Sequence, residues 1–234
     1  MLEANSHVDL RHLVDLADAW VATTAAQLTR DCRTDAEKAV AVYAFVRDEI
    51  LFTLTPAPDR MKASEVLKQG AGSPVGKTLL FVALLLACNV QAKASIVEVE
   101  GHVLEGLLDP PVAIFEFGYA EILLGSQWLK VDSHVFDSDY LQNARLLVGQ
   151  TDYQYGYGIN KNEPYQWNGR ADSLSLEVAM QSNRAKKFPR LVRRPHNGRR
   201  KGFAIFRNFT LPRQIVAANR LIEGIRSSNV ENAA

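Results

Sequence analysis

The stretch "LLFVALLLACNV", residues 79–90, constrains this chain more than any other part of it. Its twelve residues are too few to cross a bilayer, which takes about 18 or more. On a helix they are apolar on nearly every face, so a surface position with one side in water is ruled out. Such a helix belongs at the centre of a fold, with other elements packed around it. Its start is marked as well. Ser73 is placed to cap it, and Pro74 suits the first helical position, where a missing N–H costs nothing.

The lead into that helix, "GAGSPVGKTLLF" from Gly70 to Phe81, invites a phosphate-loop reading that its spacing rejects. The motif needs a glycine separated by four residues from Gly-Lys-Thr, so that successive N–H groups curl around phosphates. Counting back from Gly76, the required position is Ala71. A phosphate loop also follows a buried strand, whereas "MKASEVLKQG" reads as a short helix, with Ser64 as its N-cap and Gly70 as its stop.

The other elements follow from periodicity. Residues 8–29 carry apolar side chains at helical spacing, among them Val8, Leu13, Val14, Leu16 and Val21. A second helix starts near Thr34, where Thr34 and Glu37 have capping-box spacing. After the central helix the pattern changes to alternation in "AKASIVEVEG", "VAIFEFGYAEILL" and "QWLKVDSH". A tight turn at Leu124–Gln127 makes the last two an antiparallel hairpin. "LQNARLLVG" reads as a short helix, residues 151–170 as loop with at most a short strand, and "LPRQIVAANRLIEGIR" as a closing helix. Helices first and antiparallel strands after define an α+β class.

Composition adds a charge asymmetry. The net charge of the 234 residues is +1, yet residues 1–183 hold 14 Lys/Arg against 24 Asp/Glu, and residues 184–234 hold 13 against 2. Nine of those basic residues fall within 184–201. Two readings follow: a basic segment wrapped on its own acidic body, or an anion-binding arm for nucleic acid or another anionic surface, carried by Arg193, Arg194, Arg199 and Arg200. No transmembrane segment is expected. "MLEANSHVDLRH" lacks the pattern of a secretion signal, and Cys32 and Cys88 have no metal or disulfide spacing, so a reducing cytoplasm is the expected setting.

Taken together, "AVAVYAFVRDEILF", "ASEVLKQGAG", "KTLLFVALLLACNVQAKAS" and "GYAEILLGSQWLKVD" resemble the transglutaminase-like superfamily, related to the papain-like thiol enzymes, over roughly residues 35–137. The resemblance implies a central buried helix packed on an antiparallel sheet. It also implies a triad: a thiolate at the helix N-terminus, an imidazole on the first hairpin strand, and a carboxylate after the second. The thiol position, two residues after Gly72, is Pro74, which has no nucleophile. The imidazole position, four before Glu121, is Phe117. The carboxylate position, four after Trp128, is Asp132, which is present. Ser73 stands next to the thiol position but reads as a cap. Cys88 lies about 20 Å away at the far end of the helix and reads as core.

Other candidates surround this degenerate triad. "DSHVFDSD" clusters Asp132, His134, Asp137 and Asp139, which read either as solvated loop charges or as an acid–base group. It supplies too few His or Cys for zinc, and no metal or cofactor is implied. Tyr153, Tyr155, Tyr157 and Trp167 form an aromatic stretch that either binds a ligand or pins a loop to the core. The expected division is an N-terminal helical extension (1–33), a transglutaminase-like core (34–150), an aromatic-rich loop region (151–183), and a basic segment with a C-terminal helix (184–234). The leading functional expectation is a pseudoenzyme without thiol acyl transfer. It keeps its cleft as a binding or scaffold surface for a small molecule or protein. The alternatives are a non-thiol enzyme, with Asp132 and His134 as acid and base and Tyr119 as donor, and a nucleic-acid-associated protein acting through residues 184–201.

Overall fold

The computed structural model describes residues 11–55, 61–109, 114–162, 166–176 and 211–228. Five helices come first, with two short strands between them: α1 (Arg11–Val14), α2 (Ala19–Thr29), α3 (Asp35–Asp48), β1 (Leu51–Phe52), α4 (Ala63–Gln69), β2 (Ala71–Gly72) and α5 (Pro74–Ala87). The strands β3 (Ala92–Glu100), β4 (Ile114–Leu124) and β5 (Gln127–Val131) then form an antiparallel sheet in the order β3-β4-β5. Next come α6 (Ser138–Gly149), a two-strand hairpin of β6 (Tyr155–Gly156) and β7 (Ile159–Asn160), and α7 (Leu211–Ser227).

The apolar helix is central. Every residue of α5 from Pro74 to Leu85 is buried, between β3 and β4 on one side and α1 to α4 on the others. The expected caps hold. Ser73 Oγ accepts the Gly76 N–H at 3.1 Å, and Pro74 occupies the first helical position. Thr34 and Glu37 form the capping box that opens α3. Gly70 closes α4 in the left-handed region, at φ +62°, and Gly125 does the same in the β4–β5 turn.

Two apolar clusters lie on opposite faces of the sheet. The first joins α5 to α2, α3 and α4 and takes Ala120, Ile122, Leu129 and Val131 from the sheet. The second takes Phe115 and Phe117 from β4, together with Phe136, α6 and the inner stripe of α7. Strand alternation produces this division, since neighbouring residues of β4 point to opposite faces.

Three expectations need correction. The helix expected over 8–29 is broken: Asp15 adopts φ +31°, α1 ends at Val14, and α2 begins after an Asp18 cap. The break has a partner, because the Asp15 carboxylate receives both the N–H and the hydroxyl of Ser64, at 3.2 and 2.7 Å. Ser64 is therefore buried inside α4 and does not cap it. The N-cap is Lys62, whose N–H goes to Glu65 at 2.7 Å. Finally, α6 starts at Ser138, ahead of the expected Leu141, because Asp137 caps it through the Tyr140 N–H. No helix among the described residues is long and apolar enough to cross a membrane.

Candidate functional site

The N-terminus of α5 is where the triad is expected, and packing closes it. Pro74 is buried, and Ser73 is 2% exposed with its hydroxyl engaged by Gly76. The strand above it passes at minimal distance. A Cβ placed on Gly118 would lie 2.7 Å from Thr78 Oγ1 and 3.2 Å from the Pro74 carbonyl oxygen, so this approach admits no side chain at all. Gly118 shares its face of β4 with Ala120 and Ile122. Phe117 points the other way, its ring 6.2 Å from those of Phe115 and Phe136 in the second cluster. The position counted for the imidazole therefore lies on the face opposite Pro74. Tyr119, the proposed donor, shares the Phe117 side by the same alternation.

An imidazole reaches α5 by another route. His134, just past β5, is fully buried, with Nε2 3.0 Å from Thr78 Oγ1 and its ring 4.6 Å from that of Phe81. Burial, aided by the Lys77 charge, holds it well below the usual imidazole range, so it is neutral near pH 7. Its Nδ1 has no hydrogen-bond partner among the described residues. Asp132 is equally buried. Its carboxylate accepts the Ser175 N–H at 2.7 Å, the Ser175 hydroxyl at 2.9 Å and the Leu176 N–H at 3.4 Å, which fastens the segment after β7 beside the sheet. Nearby, Ser133 Oγ meets Tyr43 Oη at 3.1 Å and Ser173 Oγ at 2.7 Å.

The "DSHVFDSD" cluster is thus mostly interior, which corrects the solvated-loop reading. Asp132, His134 and Asp137 are buried, and only Asp139 is exposed. Asp137 accepts the Phe52 N–H at 3.1 Å and a bidentate pair from Arg226 at 2.9 and 2.8 Å. Burial pushes its carboxyl up, but Arg226, the Phe52 N–H and Lys77 together bring it below the usual value. No group of three or more His, Cys, Asp or Glu among the described residues is arranged to hold a metal ion.

Lys77 is the buried charge that sequence reading passed over. Its Nζ donates to the carbonyl oxygens of Arg47, at 3.1 Å, and of Ile50, both at the C-terminal end of α3, where carbonyls lack helical partners. Burial drives its pKa from 10.5 to about 7, against the pull of Asp137 and Asp48 and with the push of Arg226 and Arg47. Signals for these residues were present in the chain. A lysine and a threonine inside an otherwise apolar helix require buried partners, and a lone glycine inside a strand marks a close backbone approach.

The aromatic stretch separates by depth. Trp167 is buried against Tyr43 in the first cluster, with its Nε1 donating to the Ala171 carbonyl at 2.7 Å. Tyr155 and Tyr157 pack on the second cluster, and Tyr153 is 63% exposed. Arg193, Arg194, Arg199 and Arg200 lie outside the described residues, as does the rest of 184–201. Cys88 is buried at the end of α5, its thiol donating to the Leu85 carbonyl, and Cys32 is half-buried.

A buried helix that begins beneath the central strand of an antiparallel sheet, followed by a hairpin ending in Asp132, defines a transglutaminase-like core. Residues 22–133 match the family model of the transglutaminase-like superfamily, Transglut_core. Among solved structures, the chain is similar to a candidate protease from Parabacteroides distasonis (16% identity, TM-score 0.40, covering 52% of this chain and 24% of that one). It is also similar to a candidate cysteine protease from Cytophaga hutchinsonii (14% identity, TM-score 0.37, covering 54% of this chain and 44% of that one). The chain thus spans less than half the length of either structure. No curated protein matches it.

Proposed function

We propose that this chain is a transglutaminase-like protein without thiol acyl-transfer activity, and that it acts as a binding or scaffold protein. The observation that carries the proposal is the start of α5. The proline that the resemblance counts at the thiol position opens the helix, the adjacent serine hydroxyl caps it, and Gly118 lies against Thr78 and the Pro74 carbonyl with no room for a methyl group. A carbonyl substrate could not approach that helix end without moving β4, and a proline there offers neither an attacking atom nor an N–H for an oxyanion. Asp132 fits the same reading, because its lone pairs hold Ser175 and Leu176. Two free thiols suit a reducing cytoplasm.

The test is an assay of ammonia release and amine incorporation on carboxamide substrates, for which the expected result is the blank rate. Turnover above blank that disappears in Ser73→Ala overturns the proposal. A second reading, acid–base chemistry in the same place, draws on the neutral His134 imidazole held 3.0 Å from the Thr78 hydroxyl. The two readings separate on Asp132→Asn and His134→Ala. As scaffold residues, these lower the unfolding midpoint and leave partner binding intact in the folded fraction. As catalytic residues, they abolish turnover while the protein stays folded.

A further inference from the structure

Strand β1 has two edges, and they are satisfied in different ways. On the inner edge, Leu51 and Thr53 donate their N–H groups to the Gly70 and Gly72 carbonyls, at 2.8 and 3.1 Å, as a parallel partner strand would have it. On the outer edge, Phe52 and Leu54 meet side chains. The Leu54 N–H donates to Asn219 Oδ1 at 2.8 Å, and Asn219 Nδ2 donates to the Leu54 carbonyl at 2.9 Å. One carboxamide therefore reproduces the two-way exchange of a residue on an opposing strand. The Phe52 N–H goes to Asp137, and the Phe52 carbonyl accepts Arg226 Nη2 at 2.8 Å. Asn219 and Arg226 both belong to α7.

We propose that α7 is a detachable clasp that takes the place of a strand on the outer edge of β1 and opens as a unit, independently of the α5 core. Three observations carry this. Among the described residues the apolar hold of α7 is a single stripe, Ile215, Ala218, Ile222 and Ile225, which enters the second cluster and not the one built around α5. Its remaining attachments are a few side-chain hydrogen bonds and the Arg226–Asp137 pair, together with Asn143 Nδ2 donating to the Ile225 carbonyl at 2.8 Å. Its outer side is itself partly apolar, with Val216 and Leu221 exposed, so the helix has apolar surface to offer once it is released. Opening bares the Leu54 N–H and C=O and the Phe52 C=O, while the Phe52 N–H stays on Asp137 of α6, and the bared groups form an edge that recognises extended backbone. That edge is one strand away from β2, which runs directly into the Ser73 cap of α5. The inference stands whether or not the α5 site is catalytic.

Native-state hydrogen exchange on the full chain tests it. The amides of α7 and that of Leu54 should exchange at one shared rate, at least about tenfold faster than Leu79–Leu85. Asn219→Ala should accelerate that shared set by a further ~10-fold and leave α5 unchanged. Arg226→Gln should do the same, so the result does not hang on one variant. If α7 exchanges as slowly as α5 in the unaltered chain, or if either variant speeds α5 in step with α7, the helix is an integral part of a single cooperative unit and the clasp is refuted.

Discussion

At the scale of single residues, the chain's unusual feature is the polar chemistry buried next to α5. Lys77 carries a sign that can be measured. Its folded pKa of about 7 lies below its ordinary 10.5, so between these values the unfolded chain binds the extra proton. The contribution of Lys77 to stability is therefore greatest above about pH 10.5, is lost as pH falls toward 7, and levels off below that. The full swing is about 3–5 kcal/mol. Lys77→Met should remove this slope from urea midpoints taken between pH 7 and 10. At pH 10 it should also cost about 1–3 kcal/mol, because the Arg47 and Ile50 carbonyls lose their donor. Some of this scale was legible beforehand. Ser73 and Pro74 play the roles their residue types dictate, because a helix start is a local event. Asp132, His134 and Asp137 were not legible as buried groups, since nothing local distinguishes a solvated aspartate from one that receives amides from a distant segment.

At the scale of elements, the contact between β4 and α5 decides what the candidate site can hold. Gly118→Ala would bring a methyl group within 2.9 Å of Thr78 Cβ and 3.2 Å of a backbone oxygen, neither of which can swing aside. The expected cost is about 2–4 kcal/mol, seen as a fall in the thermal midpoint, while Gly125→Ala, with nothing within 4 Å of its Cβ, suffers only from its positive φ. The order of elements and the hairpin were readable because periods of 3.6 and 2 are written in the chain itself. The face of β4 that meets α5 was not readable by counting from a motif. The count from Glu121 puts the imidazole position at Phe117, but the pleat carries that side chain into the second cluster as core and leaves Gly118 against the helix. The break at Asp15 was missed for a similar reason. The apolar spacing of residues 8–29 suits one helix, and the turn that divides it is held from α4 by the bonds from Ser64 and by Lys68 on Asp18.

At the scale of the whole molecule, Asp137 is the joint at which α6, β1 and α7 meet: it caps the first, holds the second through Phe52 and pairs with the third through Arg226. Its carboxyl lies below the usual aspartate value, so its contribution is present above about pH 3.8 and is lost as pH falls through the lower folded value. Asp137→Asn would take from the Arg226 guanidinium its buried counter-charge and leave it only the exposed Glu223. The expected loss is about 3–5 kcal/mol in urea titration at pH 7, with a shallower acid transition than in the unaltered chain. The amino-acid sequence alone determined that a mostly apolar helix stands at the centre, where it starts, and that antiparallel strands follow it, because periodicity and caps act over a few neighbouring residues. The tertiary structure alone decided which polar groups are sealed inside and what they hold. Their partners lie far along the chain: 56 residues apart for Thr78 and His134, 43 for Asp132 and Ser175, and 89 for Arg226 and Asp137. Hydrogen bonds between such distant groups form only once the apolar core has brought the segments together, and no local pattern of residues encodes them.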